Sequence, residues 1–434
     1  MKNLSKPTSH NVLKNYNFRL LWIGQGTSLL GDEFFMIALP WLVLKLTDDP
    51  LALGTILALI GIPRAIFMLV GGAFADKYSP RGIMLVSDTL RLALTTLLAV
   101  MILTGWLQLW ALYVMALLFG TISGFFSPAS GAMVPILVKP EELTISNSIY
   151  QGTSYLTNFV GPVLAGGLIA LFAHSKTAQS SAEMAGIAAA IVVDAFTFLV
   201  SVATLVLMKW QGIVKPQATS SGNILASIKE GIAFLWRDNL LRTILILMVA
   251  ANFLFVGPIL VGIPVLANTR LTGGAAAYGT VISAFGGGNL LGILLTSSLL
   301  QVLRKHMGAL MVIVIACFGL ALGLMGMVST TLVACVILLI VGMGNGVLEI
   351  TVVTSIQRMT PKVMLGRVMS LILLAGVGLV PVSQALSGAF IKLSLTGLFV
   401  GAGILMLLVA IWLALQPVTT TIHQMLTAEA SSAG

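Results

Sequence analysis

Four charged residues lie inside runs that are otherwise apolar, and they are the best placed in this chain to do chemistry: Asp32, Glu33, Arg64 and Asp194. A charge is costly in hydrocarbon, so one that is kept there usually serves an ion or substrate path. On helices rising about 1.5 Å per residue, Asp32 and Glu33 lie about 20 Å into the first run. Arg64 reaches a similar depth in the second run, and Asp194 lies about 15 Å into the sixth. All four fall near the midplane of a hydrocarbon layer about 30 Å thick. Consecutive helical residues point about 100° apart, so Asp32 and Glu33 cannot both face one partner. One can meet Arg64 across the first hairpin and leave the other free to exchange a proton. Asp32, beside the flexible Gly31, is expected to be the free member. Asp194 has no sequence neighbour to neutralise it, so we expect it to line a cavity rather than face lipid.

A second group lies where two apolar runs turn back at a membrane surface. The stretch GGAFADKYSPRGIM, Gly71 to Met84, holds Gly72, Asp76, Lys77 and Arg81. Gly72 is expected to allow close packing. Asp88 and Arg91 follow three residues apart, on one helical face, where they can pair. Glu349, in a later run, is expected near the same surface. Asp76 is expected to face the start of the eleventh run near Gly366 and Arg367, where a helix dipole attracts an anion. Together these residues read as a cytoplasmic gate held by charge pairs.

Other chemistries lack their residues. No GxxxxGK[ST] phosphate loop occurs, and no His, Cys or Glu cluster has metal-ligand spacing, so no cofactor or metal is expected. His10, His174, His306 and His423 fall in tails or loops. Cys317 and Cys335 lie in apolar runs and are expected to pack as small apolar side chains. An enzyme is therefore not expected; energy must come from a gradient or a partner.

The elements that must position these residues follow from composition. Of 434 residues, 58% are hydrophobic and 9% charged, far below the charge of about a quarter typical of soluble domains. The chain is built for lipid, and its unbroken apolar runs require helices rather than a barrel. Spans are expected at about 18–46, 51–75, 83–104, 108–134, 146–173, 184–208, 240–268, 275–300, 308–329, 331–357, 367–392 and 396–416. Seventeen of the 23 Lys and Arg fall in the N-terminal tail or in alternate loops. Both termini are therefore expected in the cytoplasm. That topology accounts for the net charge of +9 without nucleic acid. The first seventeen residues carry no small-residue cleavage site, so no signal peptide is expected.

The organisation expected is an all-α membrane protein of three parts. Residues 1–208 form an N-terminal six-helix half, 209–239 a cytoplasmic linker, and 240–434 a C-terminal half and tail. In the linker, Ile224, Leu225, Ile228, Ile232, Leu235 and Trp236 recur at helical spacing behind Ser220 and Ser221, an amphipathic helix for the interface. The halves echo each other. Arg19, Pro40, Gly54-Thr55 and Pro140 return as Arg242, Pro264, Gly279-Thr280 and Pro361, each about 224 residues on. Gly161, Pro162, Gly166 and Gly167 in the fifth span are expected to bend it, or to pack it tightly.

GGAFADKYSPRGIM resembles the loop between the second and third helices of the major facilitator superfamily, although Ser79 and Pro80 stand where that family prefers glycine and a base. FRLLWIGQGTSLLGDEFFMIALPWLVL, FFSPASGAMVPILV, VVDAFTFLVS and LGRVMSL look like the macrolide-efflux branch of its drug–proton antiporters. The fifth span is similar to the superfamily's exporter signature, with one residue more between Pro162 and its last glycines. The arginine that many proton-coupled relatives carry in the fourth span is missing; Arg91 or Arg64 is expected to do its work.

The resemblance implies the major facilitator fold, two pseudo-symmetric halves with the substrate path between them. It also implies a monomeric exporter in the cell (inner) membrane, moving amphiphilic small molecules against protons with alternating access. The same apolar cavity suits a lipid or lysophospholipid flippase. A polytopic membrane enzyme or receptor needs an interfacial catalytic cluster that is not found.

Overall fold

The computed structural model describes residues 9–173, 179–209, 233–305, 307–360, 364, 368–369, 371–372, 376 and 378–416. The chain is helical, with no strand among the described residues. A short helix α1 (Ser9–Lys14) leads into α2 (Tyr16–Thr47), α3 (Pro50–Lys77), α4 (Pro80–Leu103), α5 (Leu109–Leu137), α6 (Leu143–Ala173) and α7 (Gln179–Leu207). The second set is α8 (Asn239–Ala251), α9 (Gly257–Thr269), α10 (Gly274–Lys305), α11 (Met307–Met325), α12 (Thr331–Met359), α13 (Val380–Leu393) and α14 (Leu395–Ala414).

Ten stretches among the described residues are long and apolar enough to span a membrane, with α8 and α9 counted as one. Beside these ten, α2 and α13 are the described helices that fall on the first and eleventh of the twelve expected spans. Of the expected amphipathic linker helix only 233–237 are described, helical with Leu235 buried and Trp236 exposed; its earlier part, the side chains of the basic pair at 304–305 and Pro361 lie outside the described residues or side chains. Cys317 and Cys335 are free thiols, half-buried in their helices.

Helix starts follow sequence chemistry. Asn15 caps α2, its Oδ1 accepting from the N–H groups of Asn17 and Phe18. Ser79 caps α4 with Pro80 in the first turn, a position where proline costs nothing because its N–H would be unpaired anyway. The two residues that depart from the superfamily's loop pattern therefore start the third span. Asp238 caps α8 through the N–H groups of Leu240 and Leu241.

The seventh span is not a uniform helix. Between α8 and α9, Asn252–Val256 forms a π turn, just ahead of Pro258, which has no N–H to continue the regular ladder. The hydroxyl of Ser383 donates to the carbonyl of Phe253 within it.

The chain sorts into two compact units, residues 1–48 with 59–219, and residues 49–58 with 220–434. In the first, α2 packs on α6 and α7, and α4 on α5 and α7. One end is closed by a core of Val12, Phe18, Leu21, Met84, Met133 and Leu205, so α1 folds back onto the bundle. Asn15 Nδ2 donates to the Leu137 carbonyl at 2.7 Å, and Asn17 exchanges two hydrogen bonds with the Lys209 backbone. In the second unit α10 packs on α12, α11 on α14, and α9 on α13.

Backbone-to-backbone contact carries much of this packing, because lipid supplies no hydrophobic drive between helices. In the first unit, a side chain at Gly120 or Gly124 would strike the carbonyls of Ile60 and Arg64. In the second, Gly342 and Gly346 meet the carbonyls of Phe285 and Asn289 in the same way. The pseudo-symmetry is thus physical: the same glycine spacing seats one helix on another in each half. Gly72, expected to allow close packing, has open space where its side chain would be; its neighbour Gly71 is the one pressed against Gly124, Phe125 and Pro128.

Candidate functional site

Among the described residues, every buried charged side chain lies in the first unit: Glu33, Asp88, Arg91 and Asp194. The buried polar side chains of the second unit are neutral, among them Thr243, Ser283, Thr351, Ser383 and Gln384.

Asp32 and Glu33 sit at the middle of α2 and point differently, as their helical spacing requires. Asp32 is half-buried, within electrostatic reach of Arg91 and Arg64. Glu33 turns toward α6 and packs on Gly161, where an added Cβ would fall 2.5 Å from its own. Its Oε2 has no hydrogen-bond partner. Both arginines thus lie around Asp32, the member expected to be free, rather than around Glu33. Arg64 is itself exposed on the surface of α3.

Asp88 and Arg91 do pair, Oδ1 to Nη1 at 3.6 Å, but they do so inside the unit. Asp88 has no exposed surface, and its Oδ2 accepts from the Ser201 hydroxyl on α7 at 2.6 Å. The guanidinium of Arg91 lies over the Phe126 ring at 4.2 Å and near Phe119 and Phe198. This pair therefore ties α4 to α7 and α5, where a surface gate would need it exposed. Arg91 thus reaches from the third span onto two phenylalanines of the fourth.

Asp194 is fully buried, with neither carboxylate oxygen hydrogen-bonded. It lies against the α2 backbone at Gly31 instead of opening to a cavity in this arrangement; an added Cβ at Gly31 would come within 2.7 Å of its Oδ1.

The remaining expected residues divide. Arg81 is tied down within the first unit, Nε donating to the Leu205 carbonyl at 2.7 Å and Nη2 to that of Val206 at 3.1 Å. It therefore caps the last turn of α7, where orphan carbonyls and the dipole favour a cation. Lys77 is exposed, its Nζ over the Tyr78 ring at 5.5 Å. Glu349 is exposed on α12. The Asp76 side chain, Gly366 and Arg367 lie outside the described residues. α6 runs through Gly161-Pro162 and Gly166-Gly167 without interruption; Gly161 admits Glu33, and a side chain at Gly167 would meet nothing.

The cap makes a measurable claim. Arg81→Ala should destabilise the protein by about 1–3 kcal/mol, the range for hydrogen bonds from a charged donor. Arg81→Lys should recover only part, since lysine cannot span both carbonyls in a fixed fork. Thermal unfolding in detergent checks this; equal midpoints for all three proteins would remove the cap.

One cluster had no sequence signal. Glu183 Oε1 accepts from the Trp41 indole at 2.8 Å and pairs with Lys45 at 3.3 Å, while Lys45 lies over the Trp41 ring. It joins α2 to α7 at the end opposite Arg81.

Comparison with known proteins agrees with this frame. The sequence profile of the family described as "Transmembrane secretion effector" matches residues 7–431. The chain is 27% identical over 394 residues to the "Multidrug efflux pump Tap" of Mycolicibacterium fortuitum, covering 86% of this chain and 91% of that protein. It is 21% identical over 278 residues to "Macrolide efflux protein A" of Streptococcus pyogenes, covering 64% and 65%. Among solved structures, a peptide transporter POT in complex with sulfate superposes with a TM-score of 0.69 at 16% identity, covering 96% of this chain and 99% of that one. At that identity the likeness is one of fold.

Proposed function

This chain belongs to the transmembrane secretion effector family of major facilitator transporters, and on that premise we propose that it is a secondary-active exporter of amphiphilic compounds, driven by proton antiport. The relatives named as multidrug and macrolide efflux pumps support the direction and the substrate class. The observation that carries the coupling is Glu33, a buried mid-span carboxylate with an oxygen lacking any hydrogen-bond partner. Beside it, Asp32 has two arginines in reach.

In this reading the protein works as a monomer in the inner membrane with both termini in the cytoplasm. A proton taken up from the outside neutralises a first-span acid, and its loss to the cytoplasm restores the charge. An amphiphilic cation arriving from the cytoplasm favours the charged state, so substrate and proton alternate on one site. Asp76, with Gly366 and Arg367, is proposed to govern the exchange between inward and outward states.

One proton per cycle suffices energetically. About 100 mV and about 1 pH unit supply about 3.7 kcal/mol, enough for roughly a 500-fold gradient of a neutral compound. Exchange for a monovalent cation moves no net charge and keeps only the pH part, roughly tenfold.

Transport into inverted membrane vesicles, across a panel of drugs and lipids with and without a pH gradient, tests this. Gradient-dependent accumulation of amphiphilic drugs is the expected result. Movement of lysophospholipid alone would replace the drug exporter by a flippase, and accumulation indifferent to the pH gradient would remove the antiport.

A further inference from the structure

Bases gather where α2 begins and α7 ends. Asn17, in the first turn of α2, accepts from the Lys209 N–H and donates to the Lys209 carbonyl, both at 3.0 Å. Lys209, two residues beyond α7, is thereby fixed beside Tyr16. Its Nζ lies 5.4 Å from the centre of the Tyr16 ring, and the Arg19 guanidinium lies 5.9 Å from the same centre. Both bases are exposed, and the ring is 40% exposed between them. Lys14, exposed in the last turn of α1, comes two residues before the ring.

Cations repel, so two held against one ring call for an anion. The face of an exposed tyrosine attracts a cation by only about 0.5–1 kcal/mol. Among the described residues neither Arg19 nor Lys209 has an ion pair; those of the first unit are Lys45 with Glu183 and Arg91 with Asp88. The sequence gives the reason. The first acid of the chain is Asp32, and none occurs between Asp194 and Glu230. Glu141 and Glu142 stand at the same end, on the turn before α6, where Glu142 accepts from the Lys139 N–H at 3.3 Å.

Apolar surface leads up to these bases. Phe196, Leu199, Ala203 and Val206 follow one face of α7 at helical spacing, and all four are exposed. The stripe ends three residues short of Lys209.

We propose that Tyr16, Arg19 and Lys209 form a binding site for the headgroup phosphate of an anionic phospholipid whose acyl chains lie along this stripe. Charge complementarity selects the anion, since each base at a membrane border gains about 1 kcal/mol from anionic lipid. The guanidinium and the ammonium donate to the phosphate oxygens in charge-assisted hydrogen bonds. The stripe selects a lipid over free phosphate, which would leave that surface unused. The site depends neither on the compound transported nor on what drives it.

The test uses purified full-length protein in detergent, titrated with phosphatidylglycerol, with bound lipid counted by native mass spectrometry. The parent should bind phosphatidylglycerol at least about fivefold more tightly than phosphatidylcholine. Arg19→Gln and Lys209→Gln should each lower that affinity about fivefold, and together about 25-fold, the worth of one base and of two. Arg19→Lys keeps the charge and should stay within about twofold of the parent. So should Lys139→Gln, which removes a base from the same end that does not touch the ring. Raising ammonium acetate from about 0.1 M to about 0.5 M should weaken binding by the parent severalfold, with no substitution at all. Equal affinity of the parent for both lipids, or indifference to salt, would overturn the site. Losses as large in Lys139→Gln as in the two ring-side variants would also overturn it, by making the attraction diffuse. Displacement of the lipid by inorganic phosphate at matched concentration would overturn the lipid as its occupant.

Discussion

Valine at Gly342, or at Gly120, leaves no folded transporter to purify. At each position the first atom of a side chain falls on a carbonyl oxygen of the neighbouring helix, Phe285 for Gly342 and Ile60 for Gly120. Backbone cannot step aside as a flexible side chain can, so the helices must separate along their length. For Gly342 the loss spreads, because Gly288 and Gly292 seat reciprocally on the Leu339 and Met343 carbonyls of the same helix pair. Overpacking of ordinary cores costs about 1–3 kcal/mol; a backbone collision at two interlocked helices should exceed that and take much of a net stability of about 5–15 kcal/mol. Gly167→Ala and Gly401→Ala serve as controls, since a side chain there meets nothing. The measurement is the yield of monodisperse protein and its thermal midpoint. A Gly342→Val protein that purifies and melts like its parent would show that these helices do not touch through glycine.

The glycine contacts also show how the two halves share a scaffold but not a chemistry. Arg64 in the first half and Asn289 in the second each offer a carbonyl to the later glycine of the pair, at equivalent places about 225 residues apart. One place carries a guanidinium and the other an amide. Among the described residues buried charge is likewise confined to the first unit, while the second keeps Ser383, Gln384 and a π turn. A repeat sets backbone packing in both halves, and side chains at matching places remain free to diverge.

Much of the architecture was legible because lipid leaves so few options. Apolar runs of about twenty residues, broken by Ser79-Pro80 and Pro140, place the spans within a few residues of their observed ends. The three-residue spacing of Asp88 and Arg91 predicted their pairing, which the structure shows at 3.6 Å. What spacing cannot supply is the neighbour. Whether Asp88 faces solvent or Ser201 depends on how α4 meets α7, and its sequence position fits a surface gate equally well. Gly31 and Asp194 lie far apart in the chain, so their contact has no local signature. Glu183 reads as a loop residue because the alanine-rich start of α7, at Gln179, precedes the strongly apolar run. With that turn unseen, its link to Trp41 and Lys45 stays hidden. Gly71 and Gly72 differ by 100° of helix rotation, and sequence alone gives no reason to prefer one.

On the proposed antiport, that rotation also decides which first-span acid carries the proton. Asp32 has Arg91 and Arg64 in reach, so removing its charge takes an anion away from both, although Arg91 keeps Asp88. Glu33 has no arginine around it; it rests on Gly161, with one oxygen lacking a partner. Glu33→Gln keeps shape and removes only the exchangeable proton. It should therefore abolish pH-driven accumulation while leaving gradient-free exchange near the parent rate. Asp32→Asn should act differently, lowering driven transport and exchange together, because Arg64 loses a nearby anion and Arg91 is left with Asp88 alone. The two outcomes separate in vesicles with imposed gradients, measuring accumulation and counterflow for each protein beside the parent. A Glu33→Gln protein that still follows the pH gradient would take the proton from Glu33. Asp32, adjacent to the Gly31 contact with Asp194, would then be the one first-span acid left to take it, and the loss of both activities in Asp32→Asn would have to be read as loss of the proton as well as of the charge balance.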